Sequence, residues 1–360
     1  MGVYLAAVAF LVLFYALLRR VKAPAETKAV VYTLAAAVLL SLVLGLRHPS
    51  MGVDLGYGEA VGYLASFSEI GTLLWRQVLA QAAFQNYEWG FILLNKLLYT
   101  LGLGEQGLLF VCALLSLLPI GAIICRFSAN CRTSFLIYLG LPAFLICFSG
   151  LRQGIALGIS FYAYRFAVER RLSLFLLTTT LACLFHSTAV VALLVYPVAG
   201  IRPDGVARWC SVAVLGVLFV FRSELWNALV HFTGRSIPAV HNGSVALMLL
   251  FWGIYGYLIL FSREKGCLFG LINLQYLACC ALVFAEVSNV AQRVGYYFML
   301  YLTLSLPELL REVRRNRGIF EYSLHWLAVV GGFLLFGIYQ LRRNTWAMAW
   351  PYAFFWETIG

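Results

Sequence analysis

The chain has 360 residues, of which 62% are hydrophobic and 11% are charged, and its formal net charge is +11. Soluble domains carry about a quarter charged residues, so this composition excludes one and predicts an all-α protein that crosses the membrane many times. At about 20 residues per span the chain has room for roughly ten to fourteen helices in one domain, 1–360, without a second soluble domain. The cations lie in short loops between apolar segments, so we expect them to set topology rather than to bind nucleic acid.

The apolar segments predict twelve spans in chain order. Segment 3–18 has no basic region before it and no small-residue cleavage site after it, so we expect an uncleaved span. The predicted spans are at about 3–18, 29–46, 107–125, 134–149, 153–168, 172–186, 188–200, 209–221, 245–261, 268–287, 294–307 and 320–340. With 17 of the 26 Lys and Arg residues on one side, the positive-inside rule predicts that this side is cytoplasmic and that both termini lie outside.

The longest polar region, 47–88, follows the second predicted span, and we expect the whole stretch 47–106 before the third span to form a periplasmic loop with an amphipathic or re-entrant helix. Its segment 70–84 has an amphipathic pattern. Segment 89–103 is apolar, but Asn95 and Lys96 interrupt it and it is shorter than a span. A re-entrant or interfacial helix is therefore favoured here over a full crossing.

Nine cations remain on the predicted outer side, where the topology rule does not explain them. Arg47, Arg152 and Arg293 each lie at the outer end of a predicted span, beside small or polar residues. Guanidinium groups bind phosphate oxygens in a bidentate manner, which indicates a pyrophosphate site at the outer edge of the membrane. The alternative is that each arginine extends to lipid headgroups, which is less favoured for all three together.

Three residues on the outer side are candidate general bases. Asp54 and Glu88 are carboxylates of the 47–106 region, and His186 ends a predicted span. A sugar hydroxyl must lose its proton to attack an anomeric carbon, and a carboxylate or imidazole usually accepts it. For His186 a purely structural role stays open. The outer half has no metal-ligand spacing, so we expect neither a metal nor another cofactor, and a magnesium-dependent nucleotide-sugar enzyme is disfavoured.

Several short motifs, distributed over about residues 45–356, resemble the EpsG-like group of Wzy-type bacterial polysaccharide polymerases. They are Asp54 in a Gly-Val-Asp setting after Arg47, Glu88-Trp89-Gly90 with Asn95 downstream, Arg152-Gln153-Gly154-Ile155-Ala156, Phe185-His186-Ser187, Arg293 before Gly295-Tyr296-Tyr297, and Pro351-Tyr352-Ala353-Phe354-Phe355-Trp356. One departure is the stretch after Asp54, Leu55-Gly56-Tyr57-Gly58, which is richer in glycine than the family's usual Thr-containing form.

The resemblance implies a multi-pass inner-membrane glycosyltransferase of GT-C-like architecture with a periplasmic active site. Such an O-antigen or exopolysaccharide polymerase moves a growing glycan from its undecaprenyl pyrophosphate carrier onto a fresh lipid-linked repeat unit, without nucleotide or metal. Its implied partners are the lipid-linked donor and acceptor, membrane lipids, a Wzx-type flippase and a Wzz-type chain-length regulator.

The resemblance and the residue chemistry together assign expected roles. The residues expected to bind pyrophosphate are Arg47, Arg152 and Arg293. The candidate general bases are Asp54, Glu88 and His186. The residues expected to orient sugars are Asn95, Gln153, Tyr296 and Tyr352.

Two other functions stay open at this point. A ligase would transfer the finished glycan to a different acceptor, using the same kind of donor. A lipid-linked oligosaccharide flippase or other transporter would carry ionisable groups near the middle of the bilayer and show internal pseudo-symmetry. The candidate residues cluster instead at one predicted face, which favours the polymerase.

Overall fold

The computed structural model describes residues 1–80, 87–203, 205–233, 245–262 and 268–358. In these ranges the fold is all-α, and backbone pairing of the β type is limited to a single bridge between Arg47 and Phe354. The α-helices are α1 (Gly2–Arg20), α2 (Ala25–Gly45), α3 (Tyr63–Thr72), α4 (Trp75–Ala80), α5 (Trp89–Thr100), α6 (Glu105–Phe127), α7 (Cys131–Gly140), α8 (Pro142–Ser149), α9 (Leu151–Val168), α10 (Leu172–Cys183), α11 (Val195–Val198), α12 (Gly205–Val220), α13 (Arg222–Thr233), α14 (Val245–Phe261), α15 (Leu268–Val283), α16 (Asn289–Met299), α17 (Leu302–Arg317) and α18 (Ile319–Arg343). Two 3₁₀ helices, Val53–Leu55 and Ser187–Leu194, complete the described elements.

Four of these helices, α1, α2, α6 and α18, are long and apolar enough to cross a membrane. The number rises to six if the bent pairs α7–α8 and α12–α13 each count as one span. The prediction of twelve spans is therefore not confirmed by the described part of the chain. Several predicted spans are broken: 134–149 forms α7 and α8, which are bent by 60°, and 188–200 is largely the 3₁₀ helix.

The break between α7 and α8 follows from Pro142. This residue is the first of α8, and Leu141 before it has an extended backbone with φ −82° and ψ 144°. Proline disfavours helical dihedrals in the residue that precedes it and lacks the N–H that a continuing helix would use. Helix α8 ends at Ser149, and α9, whose second residue is Arg152, begins at Leu151.

The centre of the bundle is formed by α2, α6 and α9, which pack closely through small residues. A Cβ atom added at Gly158 of α9 would lie 2.3 Å from the carbonyl oxygen of Ser116 in α6. On the other side of the bundle, a Cβ atom at Gly140 of α7 would lie 2.1 Å from the carbonyl oxygen of Phe333 in α18. Small residues allow helix backbones to approach in this way, as is typical of helices that associate within a membrane.

The two ends of the bundle carry different polar contacts. At one end Glu169 accepts from Arg126 at 2.9 Å and from Arg165 at 3.0 Å, and we call this the basic end. At the opposite end α2 gives way to the loop that begins at 46, and Gln106 of α6 donates to the carbonyl oxygens of Gly45 and Arg47. We call the latter the cavity end because the polar cavities described below lie there.

The region 47–106 folds against the cavity end. The predicted amphipathic segment 70–84 is divided between the end of α3 and the short α4, and its residues 81–84 lie outside the described ranges. Helix α5 has 12 residues, too few to cross a bilayer, so the re-entrant or interfacial helix stays a prediction. Lys96 of α5 is buried and donates to the carbonyl oxygens of Gly71 and Leu73, at 2.7 and 2.6 Å, where α3 ends.

Candidate functional site

A polar cavity of about 360 Å³ opens at the cavity end of the bundle. Its lining residues come from the loop after α2, from α3, from the chain before α5, from α9 and α16, and from the residues that follow α10. They are Val53, Asp54, Val61, Gly62, Tyr63, Tyr87, Gly150, Arg152, Gln153, His186 and Arg293. Half of the ten residues predicted from the sequence thus meet at one place, which we call the Arg152 cavity.

Asp54 reaches the Arg152 cavity because its loop is held against the junction of α8 and α9. Its backbone N–H donates to the Ser149 hydroxyl at 3.1 Å. Gly52, just before it, has a φ of +121°, and a Cβ atom there would lie 2.1 Å from the carbonyl oxygen of Phe148. Only glycine fits both this dihedral and this close approach, so Gly52 allows the loop that carries Asp54 to pack against the end of α8.

Arg152, in the first turn of α9, is held by a carboxylate and by aromatic rings. Its Nη1 donates to Glu88 Oε2 at 2.5 Å, and its Nε donates to the Tyr63 hydroxyl at 3.2 Å. The guanidinium carbon lies 4.6 Å from the centre of the Tyr87 ring, within cation–π range. The Arg152 and Glu88 side chains are only 18% and 19% exposed, so the guanidinium is oriented before any ligand arrives.

Glu88 joins three elements at the wall of the cavity. Besides Arg152, its carboxylate accepts from the Ser187 N–H at 2.8 Å and lies 3.3 Å from His186 Nδ1. Burial alone would raise the pKa of Glu88, but His186, the Ser187 N–H and Arg152 stabilise the carboxylate more strongly and lower its pKa from 4.5 to about 2. Glu88 is therefore ionised at neutral pH and is a weak base.

His186 faces this carboxylate because the chain changes conformation where α10 ends. Its backbone is extended, with φ −156° and ψ 119°, between α10 and the 3₁₀ helix Ser187–Leu194. A carboxylate beside one ring nitrogen favours the tautomer with its proton on that nitrogen and leaves the other nitrogen as an acceptor. His186 Nδ1 is buried and makes no hydrogen bond to the described groups, so the pair has the residue types and the proximity, but not the hydrogen bond, of a general base with an orienting carboxylate.

Arg293 and Asp54 present an open cation and an open carboxylate to the same cavity. Within the described ranges, neither side chain has a hydrogen bond or ion pair to another protein group. Arg293 is exposed, and its carbonyl oxygen accepts from Gln153 Nε2 at 3.0 Å, which connects α9 to α16. Gln153 is buried, and its Oε1 has no partner among the described groups.

Arg47 was expected to bind pyrophosphate, but the structure places it outside the Arg152 cavity. Its side chain is fully buried and donates to three backbone carbonyls, those of Met51 at 3.1 Å, Phe148 at 2.9 Å and Leu44. These bonds join the end of α2, the following loop and the end of α8. A guanidinium with its donors on backbone carbonyls is a structural group rather than an exposed phosphate ligand.

Three residues expected to orient sugars also lie away from the Arg152 cavity. Asn95 is fully buried in α5, where its Nδ2 donates to the Phe91 carbonyl at 2.7 Å. The Tyr352 hydroxyl donates to the Val43 carbonyl at 2.8 Å. Tyr296 accepts from Gln292 Nε2 at 2.8 Å and lines a neighbouring cavity.

Sequence reasoning missed Tyr63 and Tyr87, which flank the Arg152 guanidinium. Both belong to the polar region 47–106, where nothing in their spacing distinguishes them from the other tyrosines of the chain. Their contact with Arg152 arises from tertiary packing of α3 and of the residue before Glu88. Across the described ranges, no group of three or more His, Cys, Asp or Glu residues is arranged to hold a metal ion.

Fold and site together define a multi-pass helical membrane protein with a polar cavity, lined by two arginines, at one end of its bundle. The chain belongs to the EpsG family, whose model matches residues 30–354. The resemblance found in the sequence is thereby confirmed, and membership indicates a polysaccharide polymerase-like role on lipid-linked glycans in general. No curated protein and no solved structure matches the chain.

Proposed function

We propose that this protein is a polysaccharide polymerase with GT-C-like architecture that joins undecaprenyl-pyrophosphate-linked repeat units at the periplasmic face of the inner membrane. The observation that carries the proposal is the Arg152 cavity, in which two arginines, a carboxylate and an imidazole meet. The cavity lies opposite the basic end, and the positive-inside rule assigns basic loops to the cytoplasm. This arrangement supports a cavity that opens to the periplasm, where a Wzx-type flippase would supply substrate and a Wzz-type regulator would set chain length.

The arginines would serve the leaving group. In the transfer, a new bond forms between the acceptor oxygen and the anomeric carbon, and the bond from that carbon to the diphosphate breaks. The departing diphosphate takes the electron pair, and preorganised cations stabilise the charge that develops on it. Arg293 is open to such a ligand, while Arg152 is already oriented by Glu88 and Tyr63.

The acceptor hydroxyl must lose its proton during this attack, and the cavity offers His186 and Asp54 to accept it. Glu88 was a third candidate, but a carboxylate with a pKa of about 2 holds a proton poorly. We assign Glu88 a positioning role, in which it orients Arg152 and the His186 ring. Gln153 lines the cavity beside Arg293 and is the remaining candidate for contact with a sugar.

The test replaces Arg152 with Lys or Ala and follows glycan chain length on gels of whole-cell polysaccharide. We expect both variants to lose long chains, because lysine keeps the charge but not the planar fork that binds phosphate in a bidentate manner. Arg76→Ala, which removes an exposed arginine of α4, is the matched control and should keep the normal ladder. Long chains at the normal level in both Arg152 variants would overturn the proposal.

The same gels separate the polymerase from a ligase. A strain without polymerase activity attaches a single repeat unit to the final acceptor, whereas a strain without ligase activity attaches none. A transporter defect would instead leave lipid-linked units on the cytoplasmic side of the membrane. We expect the Arg152→Ala strain to display single repeats.

A further inference from the structure

A second cavity, of about 440 Å³, lies next to the Arg152 cavity, and Arg293 lines both. Its other cation is Arg343, at the last position of α18, and no Asp or Glu lines it. In the ranges that the structure describes, neither arginine has an ion pair or hydrogen bond through its side chain. The amide side chains of the lining are Asn289, Gln292, Gln340 and Asn344. This cavity therefore holds two uncompensated positive charges surrounded by groups that hydrogen-bond anions and sugars.

An apolar groove of about 480 Å³ lies between α14 and α18 and meets the second cavity at Phe336, which lines both. Residues on one face of α14, within 249–257, and on one face of α18, within 328–336, form its walls. Each face extends about 12 Å along its helix, at 1.5 Å per residue. Toward the basic end, the Tyr257 hydroxyl meets His325 Nδ1 at 2.7 Å and connects the two helices.

Glycine widens this groove at the middle of both walls. A Cβ atom added at Gly253 of α14 or at Gly332 of α18 would meet no atom within 4 Å. Close helix packing therefore does not explain either glycine, in contrast to Gly158, although glycine destabilises a helix interior. The space that they leave belongs to the groove itself.

We propose that the groove and the second cavity together bind one lipid-linked substrate, with its isoprenoid chain between α14 and α18 and its diphosphate between Arg293 and Arg343. The two guanidinium groups that line the second cavity match the two charges of a diphosphate, and a single apolar channel matches one polyprenyl chain, whose only branches are methyl groups, rather than the two acyl chains of a phospholipid. Because Arg293 lines both cavities, the glycan attached to this diphosphate would extend into the Arg152 cavity. The inference rests on the proposed function, to which it adds the binding site of the lipid carrier.

The first test fills the groove with Gly332→Leu and compares it with Gly331→Leu on the same helix. A Cβ atom at Gly331 meets only Leu327 Cδ1, at 4.0 Å, and Gly331 does not line the groove. Leucine forms helix better than glycine, so both variants should fold, which size-exclusion profiles and thermal unfolding of the purified proteins will check. We expect Gly332→Leu to lower the yield of long chains at least tenfold and Gly331→Leu to leave it unchanged.

The second test measures binding directly, with a photoreactive polyprenyl diphosphate and a photoreactive phosphatidylglycerol, each added to the purified full-length protein. We expect the diphosphate probe to label peptides of α14 and α18 in the wild type and in Gly331→Leu. Labelling should fall at least fivefold in Gly332→Leu and in Arg343→Gln. Labelling elsewhere in the protein, or labelling of the groove by the phospholipid with equal efficiency, would overturn the inference.

The Arg152→Ala strain distinguishes the two proposals. If it loses long chains while Gly332→Leu retains them at the normal level, the groove is not the carrier site and the polymerase assignment stands. If both Arg152 variants retain long chains at the normal level, the polymerase assignment fails whatever Gly332→Leu does.

Discussion

Replacing Glu88 with glutamine removes the negative charge at which Arg152, His186 and the Ser187 N–H meet. The pKa of Glu88 falls from 4.5 to about 2 in the folded protein, which corresponds to about 3 kcal/mol at about 1.4 kcal/mol per pKa unit. The Arg152 and Glu88 side chains are 18% and 19% exposed, so solvent screens part of this interaction and we expect a loss of about 1–2 kcal/mol in the free energy of unfolding.

The pH dependence of this loss identifies its cause. Because the folded pKa of Glu88 lies below the unfolded value, its contribution is present above about pH 4.5 and is lost as the pH falls toward 2. Thermal unfolding of the purified protein in nanodiscs, followed by tryptophan fluorescence, should show a lower Tm for Glu88→Gln at pH 7. This difference should narrow steadily as the pH is lowered from 4.5.

The control is Glu59→Gln, which removes an exposed carboxylate from the same region and should leave Tm unchanged at pH 7 and at pH 3. A Glu88→Gln variant with the wild-type Tm at pH 7 would show that the carboxylate does not stabilise the cavity wall. A difference that persisted unchanged to pH 3 would show that packing, rather than charge, is responsible.

Three further predictions concern individual residues. Arg47→Gln should lower the free energy of unfolding by about 3 kcal/mol, because buried carbonyls lose a charged donor. The folded variant should bind lipid diphosphate with an unchanged Kd in a titration. Weaker binding would contradict the structural role of Arg47. Whichever of Asp54→Asn and His186→Asn removes the general base should lower kcat about 10²- to 10⁴-fold with lipid-linked substrate, and normal rates in both would exclude the two as bases. Gly158→Ala should lower the free energy of unfolding by about 1–3 kcal/mol, because its Cβ would lie 2.3 Å from the Ser116 carbonyl oxygen. The control is Gly216→Ala, whose Cβ would meet no atom within 4 Å. Equal Tm values for the two variants would contradict this packing.

The sequence predicted the all-α class and much of the Arg152 cavity, because both depend on local chemistry. Arginines and isolated carboxylates at the ends of apolar segments can be recognised in the sequence alone, and Arg152, Arg293 and Asp54 line the same cavity in the structure. Arg47 shares the same local pattern. Arg47 differs because segments that are distant in the sequence fold over it, and the residues next to it in the chain do not indicate this.

The number of spans could not be predicted in the same way. An average of hydropathy over a segment does not register a break within it, so 294–307 has the composition of a span although α16 ends at Met299 and α17 begins at Leu302. Helices α10, α14 and α15, with 12, 17 and 16 residues, are apolar but shorter than a typical crossing.

The segment after α18 connects the walls of the two cavities. Trp346, which lines the second cavity, accepts at its carbonyl oxygen from the N–H of Val53, the neighbour of Asp54, at 3.1 Å. Further along, the Ala353 carbonyl accepts from the His48 N–H at 2.8 Å. A lipid carrier that moved the end of α18 would therefore pull on the loop that holds Asp54. Binding of the carrier in the groove and placement of the candidate base would then be coupled through backbone hydrogen bonds, so that substrate occupancy itself could help to order the Arg152 cavity.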